Sequence, residues 1–206
     1  GIQLSLPYFI PLPINFFGTM GAAELMQGRP RDRRALLAVG SAGPLAGIIL
    51  AVPILIVGLV LSEVGPIPQG VPLAVEGNSL LYLALKYLLF GRILPGGGYD
   101  VFIHPMAFAG WIGLLVTSLN LIPVGQLDGG HIVYAIFGPR QREVAWMVVG
   151  MLLVLGIVGW EGWLIWGGIL LVLGVRHPPV IYDWWQLDNR RLAVGYLAMF
   201  CFAITF

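Results

Sequence analysis

Thr117-Ser-Leu-Asn-Leu-Ile-Pro-Val-Gly-Gln-Leu-Asp-Gly-Gly-His131 is the stretch on which the fold turns. It lies inside an apolar tract from Pro105 to Phe137, in which Asp128 is the only formally charged side chain. A carboxylate at bilayer depth costs several kcal/mol unless it faces a cavity, a cation or a partner. Pro123 removes a backbone donor, and Gly125, Gly129 and Gly130 free the backbone around the carboxylate. Irregular backbone at that depth survives only where protein buries it or where it lines a wet cavity. The stretch therefore brings a carboxylate to an opening inside the membrane, and that marks a site.

The rest of the chain fits a membrane protein. Of its 206 residues, 58% are apolar and only 10% charged, against roughly a quarter charged in a soluble chain. The mean hydropathy is +0.89, and several apolar runs reach spanning length. The expected fold class is an all-α polytopic membrane protein with about five to six transmembrane or membrane-embedded helices and a short N-terminal β-edge or hairpin region. No polar stretch is long enough for a second folded unit, so residues 1–206 read as one membrane-embedded domain. Within it, residues 1–27 form an extended edge region and residues 35–206 a helical bundle. A net charge of +1 leaves no footprint for nucleic acid. The lone Cys201 can form no intrachain disulfide. No cleavable signal peptide is visible, and the abrupt start at Gly1 points to an N-terminal truncation.

Outward from the central stretch, the flanks sort by proline, glycine and charge. Pro7, Pro11 and Pro13 exclude a regular helix near the start, where apolar and aromatic residues favour extended structure. That segment reads either as a proline-rich connector or as an edge strand able to pair with an extended peptide. Gly28-Arg-Pro-Arg-Asp-Arg-Arg34 is the densest charge cluster and precedes an apolar run to Ser62. Gly43 and Gly47 in that run make a small-residue face suited to close helix packing. The segments 63–77 and 92–104 read as loops, and 78–90 as a short helix carrying Lys86. Two further helices, 144–159 and 163–175, flank a turn at Trp160-Glu-Gly162, and a last one begins at Leu192. The arginine-bearing segments 28–34, 138–143 and 176–191 are expected on one side, the cytoplasmic one. Asp128 then sits about 15 Å along a helix from the loop at Gly138, near half depth and reachable from that side.

Three chemistries are open to such an aspartate: ligating a divalent metal, relaying protons or ions, or structural pairing. A metal site needs nitrogen or sulfur companions, and the chain offers His104, His131 and His177. His131 follows Asp128 by three residues and could share its helical face. His177 falls in an arginine-bearing loop, and His104 is placed to cap the central tract.

The sequence from Asn120 to Gly130 resembles the second signature of the site-2 protease family of intramembrane zinc metalloproteases. The resemblance extends to Ser5-Leu-Pro-Tyr-Phe-Ile-Pro-Leu-Pro13, to Gly43-Pro-Leu-Ala-Gly47 and to His104-Pro-Met-Ala-Phe-Ala-Gly-Trp111, in the family's order. It implies that Asp128 is a ligand of Zn2+ and that Asn120 supports the site through a hydrogen bond to substrate or catalytic water. It implies that Pro123, Gly129 and Gly130 shape the turn. It also implies that edge residues such as Leu6, Tyr8 and Phe9 hold an unwound transmembrane substrate by β-addition. The partners expected are a transmembrane protein substrate and membrane lipid. The sequence departs from the family in one respect: the helical His-Glu-x-x-His signature, which supplies two ligands and the base, is absent. The remaining ligands are expected upstream of Gly1, with this chain inactive alone. The competing reading is a non-catalytic membrane scaffold or ion-handling protein that keeps the fold.

Overall fold

The structure, a computed structural model, describes residues 3–4, 6, 8–11, 19–23, 26–68, 70, 75–184 and 186–206. The chain divides into two compact units, Gly1–Ala42 with Ile122–Tyr196, and Gly43–Leu121 with Leu197–Phe206.

In the first unit the described residues of the N-terminal region include two short strand pairs. Strand β1 (Gln3–Leu4) pairs antiparallel with β4 (Met26–Gln27), and β2 (Tyr8–Pro11) pairs with β3 (Thr19–Ala23). The β2–β3 register slips between Phe9 and Pro11, where proline has no N–H to give to the ladder. Helix α1 (Arg33–Val60) starts here, with the Asp32 carboxylate accepting from the Ala35 N–H at 2.8 Å. The unit also holds α4 (Asp128–Phe137), a 3-10 turn at Gly138–Arg140, α5 (Gln141–Val158) and α6 (Gly162–Leu173). Helices α5 and α6 form a hairpin that closes on glycine. A Cβ at Gly156 would stand 2.6 Å from Leu164 Cγ, and one at Gly167 would stand 3.0 Å from Leu153. Helix α7 (Asn189–Thr205) begins in this unit, where Asp188 Oδ1 accepts from the Arg191 N–H at 2.9 Å.

The second unit is built around the remainder of α1 and α3 (Pro105–Asn120). Its core gathers Leu55, Leu59, Tyr82, Leu94, Val101, Ala107 and Leu114. The two helices touch through small residues. A Cβ at Gly47 would lie 2.7 Å from Thr117 Oγ1, one at Gly110 would lie 2.6 Å from the Leu55 nitrogen, and one at Gly58 would enter the Ala107 backbone. The packing face read at Gly47 is therefore a contact with α3. Helix α2 (Leu80–Phe90) is capped by Ser79, whose side chain accepts from Tyr82, and ends on Gly91 at φ 70°. His104 caps α3, its Nδ1 accepting from the Met106 N–H at 3.2 Å.

One pairing falls where loops were expected. Strand β5 (Glu63–Pro66) runs antiparallel to β6 (Tyr99–Phe102), with Glu63 opposite Phe102. Glycine and proline hide this pair in the sequence: Gly65 leaves room for the Phe102 ring, and Pro66 ends its strand. Lys86, whose depth was open, is buried with 1% exposure. Its Nζ lies 4.4 Å from the Tyr82 ring centre and 4.0 Å from Glu76 Oε1.

Among the described residues, two helical runs are long and apolar enough to cross a membrane: Arg33–Val60, and Asp128–Val158 through the 3-10 turn. Helices α2, α3 and α6 are shorter apolar helices. Large apolar side chains point outward, among them Ile49, Leu50, Met147, Ile157, Val158 and Val172. Outward oil on this scale suits lipid rather than water.

The helix contacts generate a stability prediction. Gly58→Ala and Gly110→Ala should each destabilise the protein by about 1–3 kcal/mol, because backbone, which cannot swing aside, faces the new methyl. Gly150→Ala, which meets nothing within 4 Å, should stay within about 0.5 kcal/mol. Thermal unfolding in detergent micelles reads the difference, and equal midpoints for all three variants would sink the close-contact account.

Candidate functional site

The central tract breaks where the prolines and glycines require it. Helix α3 ends at Asn120, residues 121–127 form a turn that is buried from Leu121 to Gly125, and α4 restarts at Asp128. Asn120 belongs to the second unit and Asp128 to the first. In the turn, the Val124 N–H donates to the Ile122 carbonyl at 2.8 Å and the Leu127 N–H to the Val124 carbonyl at 3.2 Å. Ile122 and Val124 are fully buried, and Pro123 is buried between them. Gly125 adopts φ 56°, and its N–H donates to the Val175 carbonyl at 3.2 Å.

Asp128 is the first residue of α4, half-buried, after an N-cap Leu127 whose side chain offers no hydrogen bond. Its charge lies at the helix end where the macrodipole favours anions. The glycines around it make room for backbone. A Cβ at Gly130 would lie 2.8 Å from the Val124 carbonyl oxygen, and one at Gly40 of α1 would lie 2.9 Å from the Asp128 carbonyl oxygen. Gly129 is buried in the first turn of α4. Of the residues expected to shape the turn, Gly130 meets it directly and Pro123 lies within it, whereas Gly129 is helical.

The histidines separate. His104 caps α3, whereas His131 and His177 meet in the first unit, His131 Nδ1 and His177 Nε2 lying 2.7 Å apart. His177 Nδ1 lies 2.6 Å from the Pro178 carbonyl, and its ring stacks on Tyr134 at 4.5 Å. Gln141, the first residue of α5, donates from Nε2 to the Val175 carbonyl at 3.3 Å and accepts the His177 N–H on Oε1 at 3.2 Å. Sequence reasoning missed this cluster, because its two rings are 46 residues apart. Burial pushes the His177 imidazole below its ordinary value, with the Pro178 carbonyl acting against it.

The three arginine-bearing segments come together in the first unit. Arg33 Nε donates to Asp183 Oδ1 at 2.9 Å, the Ile181 N–H to the Pro30 carbonyl at 3.1 Å, and the Tyr182 N–H to the Arg31 carbonyl at 2.8 Å. Gly138 sits directly against the Arg33 guanidinium.

The donor chemistry fits zinc at one position. Asp128 offers an oxygen ligand, but among the described residues no group of three or more His, Cys, Asp and Glu side chains could hold a metal ion. Of the proposed substrate-edge residues, Leu6 is 84% exposed. The backbones of Tyr8 and Phe9 lie in β2, and their side chains lie outside the described residues.

A helical membrane scaffold with an acidic helix start at a broken span is the class this geometry defines. The sequence pattern of peptidase family M50 matches residues 4–157. The chain belongs to that family, the site-2 protease family, which is membrane-embedded. It is 33% identical over 213 residues to the probable zinc metalloprotease EGY1, chloroplastic, of Oryza sativa subsp. japonica, covering 99% of this chain and 35% of the relative. It is 31% identical over 209 residues to the Arabidopsis thaliana protein of the same name, covering 99% of this chain and 37% of the relative. The probable zinc metalloprotease EGY2, chloroplastic, of Oryza sativa subsp. indica is 35% identical over 153 residues, covering 74% of this chain and 28% of the relative. The chain thus spans about a third of the length of the curated relatives it matches. No solved structure matches it.

The His177 environment predicts a pH dependence. Its proton affinity is lower folded than unfolded, so the unfolded chain takes up the proton first. The docking of residues 174–178 is then fully stable above the ordinary value of 6.5 and weakens as pH falls from there toward the folded value. Unfolding midpoints measured between about pH 8 and pH 5 should fall on the acid side, and His177→Gln should flatten that fall. Identical slopes in the two proteins would remove His177 as the cause.

Proposed function

We propose that this chain carries the aspartate half of an intramembrane zinc peptidase that cleaves transmembrane segments of membrane proteins. The observation behind this reading is the broken helix that restarts on Asp128, in a chain whose relatives are named zinc metalloproteases. Asp128 serves as one zinc ligand, and the remaining ligands come from outside the described residues, since one carboxylate does not hold a catalytic zinc. For the same reason the chain is inactive alone. Zinc in such a site supplies a water with a pKa near 7 and polarises a peptide carbonyl.

The residues of this chain have separate tasks. Asp128 places a negative charge at a helix start that the backbone dipole already favours. Asn120 supports the site by a hydrogen bond to the substrate or to the attacking water. Pro123, Gly129 and Gly130 keep the turn tight enough to present the carboxylate. A transmembrane substrate has its backbone bonds satisfied internally and must unwind before cleavage. Strand β2, with Leu6, Tyr8 and Phe9 in and beside it, is suited to hold the unwound chain by β-addition. The site opens toward the side that carries the arginine segments, the cytoplasmic one in the charge reading. The partners are a transmembrane substrate and lipid.

The test uses the full-length protein, its zinc content and its cleavage of a single-span test substrate. Asp128→Ala should lose zinc and at least about 100-fold in rate, equivalent to ~2.7 kcal/mol of transition-state stabilisation. Asn120→Ala should keep zinc but lose about 100-fold in kcat, as expected when one hydrogen-bond donor to the reacting centre is removed. Equal zinc content and equal cleavage in wild type and Asp128→Ala would take Asp128 out of the site and leave the scaffold reading standing.

A further inference from the structure

The His131–His177 contact has a direction that follows from one bond. A carbonyl oxygen only accepts, so the 2.6 Å contact between Pro178 O and His177 Nδ1 puts a proton on that nitrogen. Both rings are buried, His131 at 5% and His177 at 7% exposure, and His177 stacks on the uncharged Tyr134 ring. Burial disfavours imidazolium, so His177 is neutral and its Nε2 carries a lone pair. That lone pair faces His131 Nδ1 at 2.7 Å, so His131 donates from Nδ1. The lone pair of His131 is thereby left on Nε2. One carbonyl thus fixes the tautomer and orientation of two rings.

This chain of bonds ends in the first turn of α4. His131 lies three residues past Asp128, and its N–H donates to the Leu127 carbonyl at 2.9 Å, closing the turn that contains the aspartate. The segment that supplies the relay also holds the turn before the aspartate. The Val175 carbonyl accepts from Gly125, and Gln141 clips the same segment at Val175 and His177. On the opposite flank, Gly40 lets α1 approach to where a Cβ would stand 2.7 Å from His131 Cβ. His131 is therefore gripped from α1 on one flank and from residues 175–178 through its ring.

We propose that His177 is a positioning residue for Asp128, acting through a neutral Pro178–His177–His131 relay that sets the first turn of α4. Residues 174–178 are a clasp on the site, and their docking sets the aim of the carboxylate. The inference rests on the reading of Asp128 as a working site residue. Gly174, Val175, His177 and Gln141 are its structural parts, and none of them touches a reacting atom.

Two measurements on the full-length protein test it. 15N-histidine labelling reads the tautomers, with the His131 and His177 signals assigned by single His→Gln variants. Both His131 and His177 should show the Nδ1–H tautomer near neutral pH, and an Nε2–H tautomer on either ring overturns the relay. The second measurement compares His177→Phe, which keeps a ring on Tyr134 but cannot accept, with His177→Gln, whose amide oxygen can accept from His131. Cleavage of a single-span test substrate should lose about tenfold in kcat at unchanged KM in His177→Phe and recover to within about twofold in His177→Gln, the lower end of what outer partners of a site contribute. Wild-type kcat in His177→Phe, or equal losses in both variants, overturns the positioning role. Full activity in Asp128→Ala instead overturns the function assigned to the aspartate, while the tautomer result still decides the relay.

Discussion

A helix that stops inside a membrane must find partners for the backbone groups it frees, and the rest of the first unit follows from meeting that requirement at residues 121–127. Pro123 brings no N–H, and the Leu121, Val124 and Leu127 N–H groups turn back onto nearby carbonyls. Gly125 has no local acceptor to use and donates instead to Val175, some fifty residues on in the sequence. That one bond explains why an irregular stretch follows α6: the broken helix needs a carbonyl that is not already committed to a helix. Gln141 and His177 then satisfy what residues 175–177 would otherwise leave open.

Glycine does two kinds of work in this chain, and sequence distinguishes them poorly. At Gly47, Gly58, Gly110 and Gly156 it lets helices meet at backbone distance, in place of the hydrophobic drive that lipid cannot supply. At Gly125 it supplies a left-handed backbone, and at Gly130 it admits carbonyls that any side chain would block. Both uses are close approaches. The first sets how far apart helices lie and the second where a carboxylate emerges.

The broken span was legible because its signals are local. A single Asp in an apolar tract, with Pro123 before it and a pair of glycines after it, marks the break, whereas the glycines read as freeing the backbone prove helical, because α4 restarts at Asp128 itself. His104 was legible as a cap for the same reason, since it stands directly before Pro105 at a helix start. The β5–β6 pair was not, because Gly65 and Pro66 have the composition of a turn and their partner strand lies more than thirty residues on. The His131–His177 pair was hidden in another way. His177 sits among arginines and prolines and reads as a solvated loop, yet the turn it serves draws it inside. Pairings that exist to satisfy a distant backbone group leave no local periodicity to read.

The length of α6 bears on the stretch that follows it. Its 12 residues cover about 18 Å, well short of an apolar layer of roughly 30 Å. Beyond α6, residues 174–182 continue as irregular backbone held by hydrogen bonds to other parts of the unit. Val175 meets Gly125 and Gln141 near the aspartate, whereas Ile181 and Tyr182 meet Pro30 and Arg31 among the arginines. Helix α4 covers the same interval with 10 residues, about 15 Å from Asp128 to the turn at Gly138 beside Arg33. Extended backbone beside a helix cannot satisfy all its own polar groups, so at membrane depth it needs protein partners or a wet lining. Gly125, Gln141, Pro30 and Arg31 are those partners here, and they tie the stretch both to the turn before the aspartate and to the arginine segments.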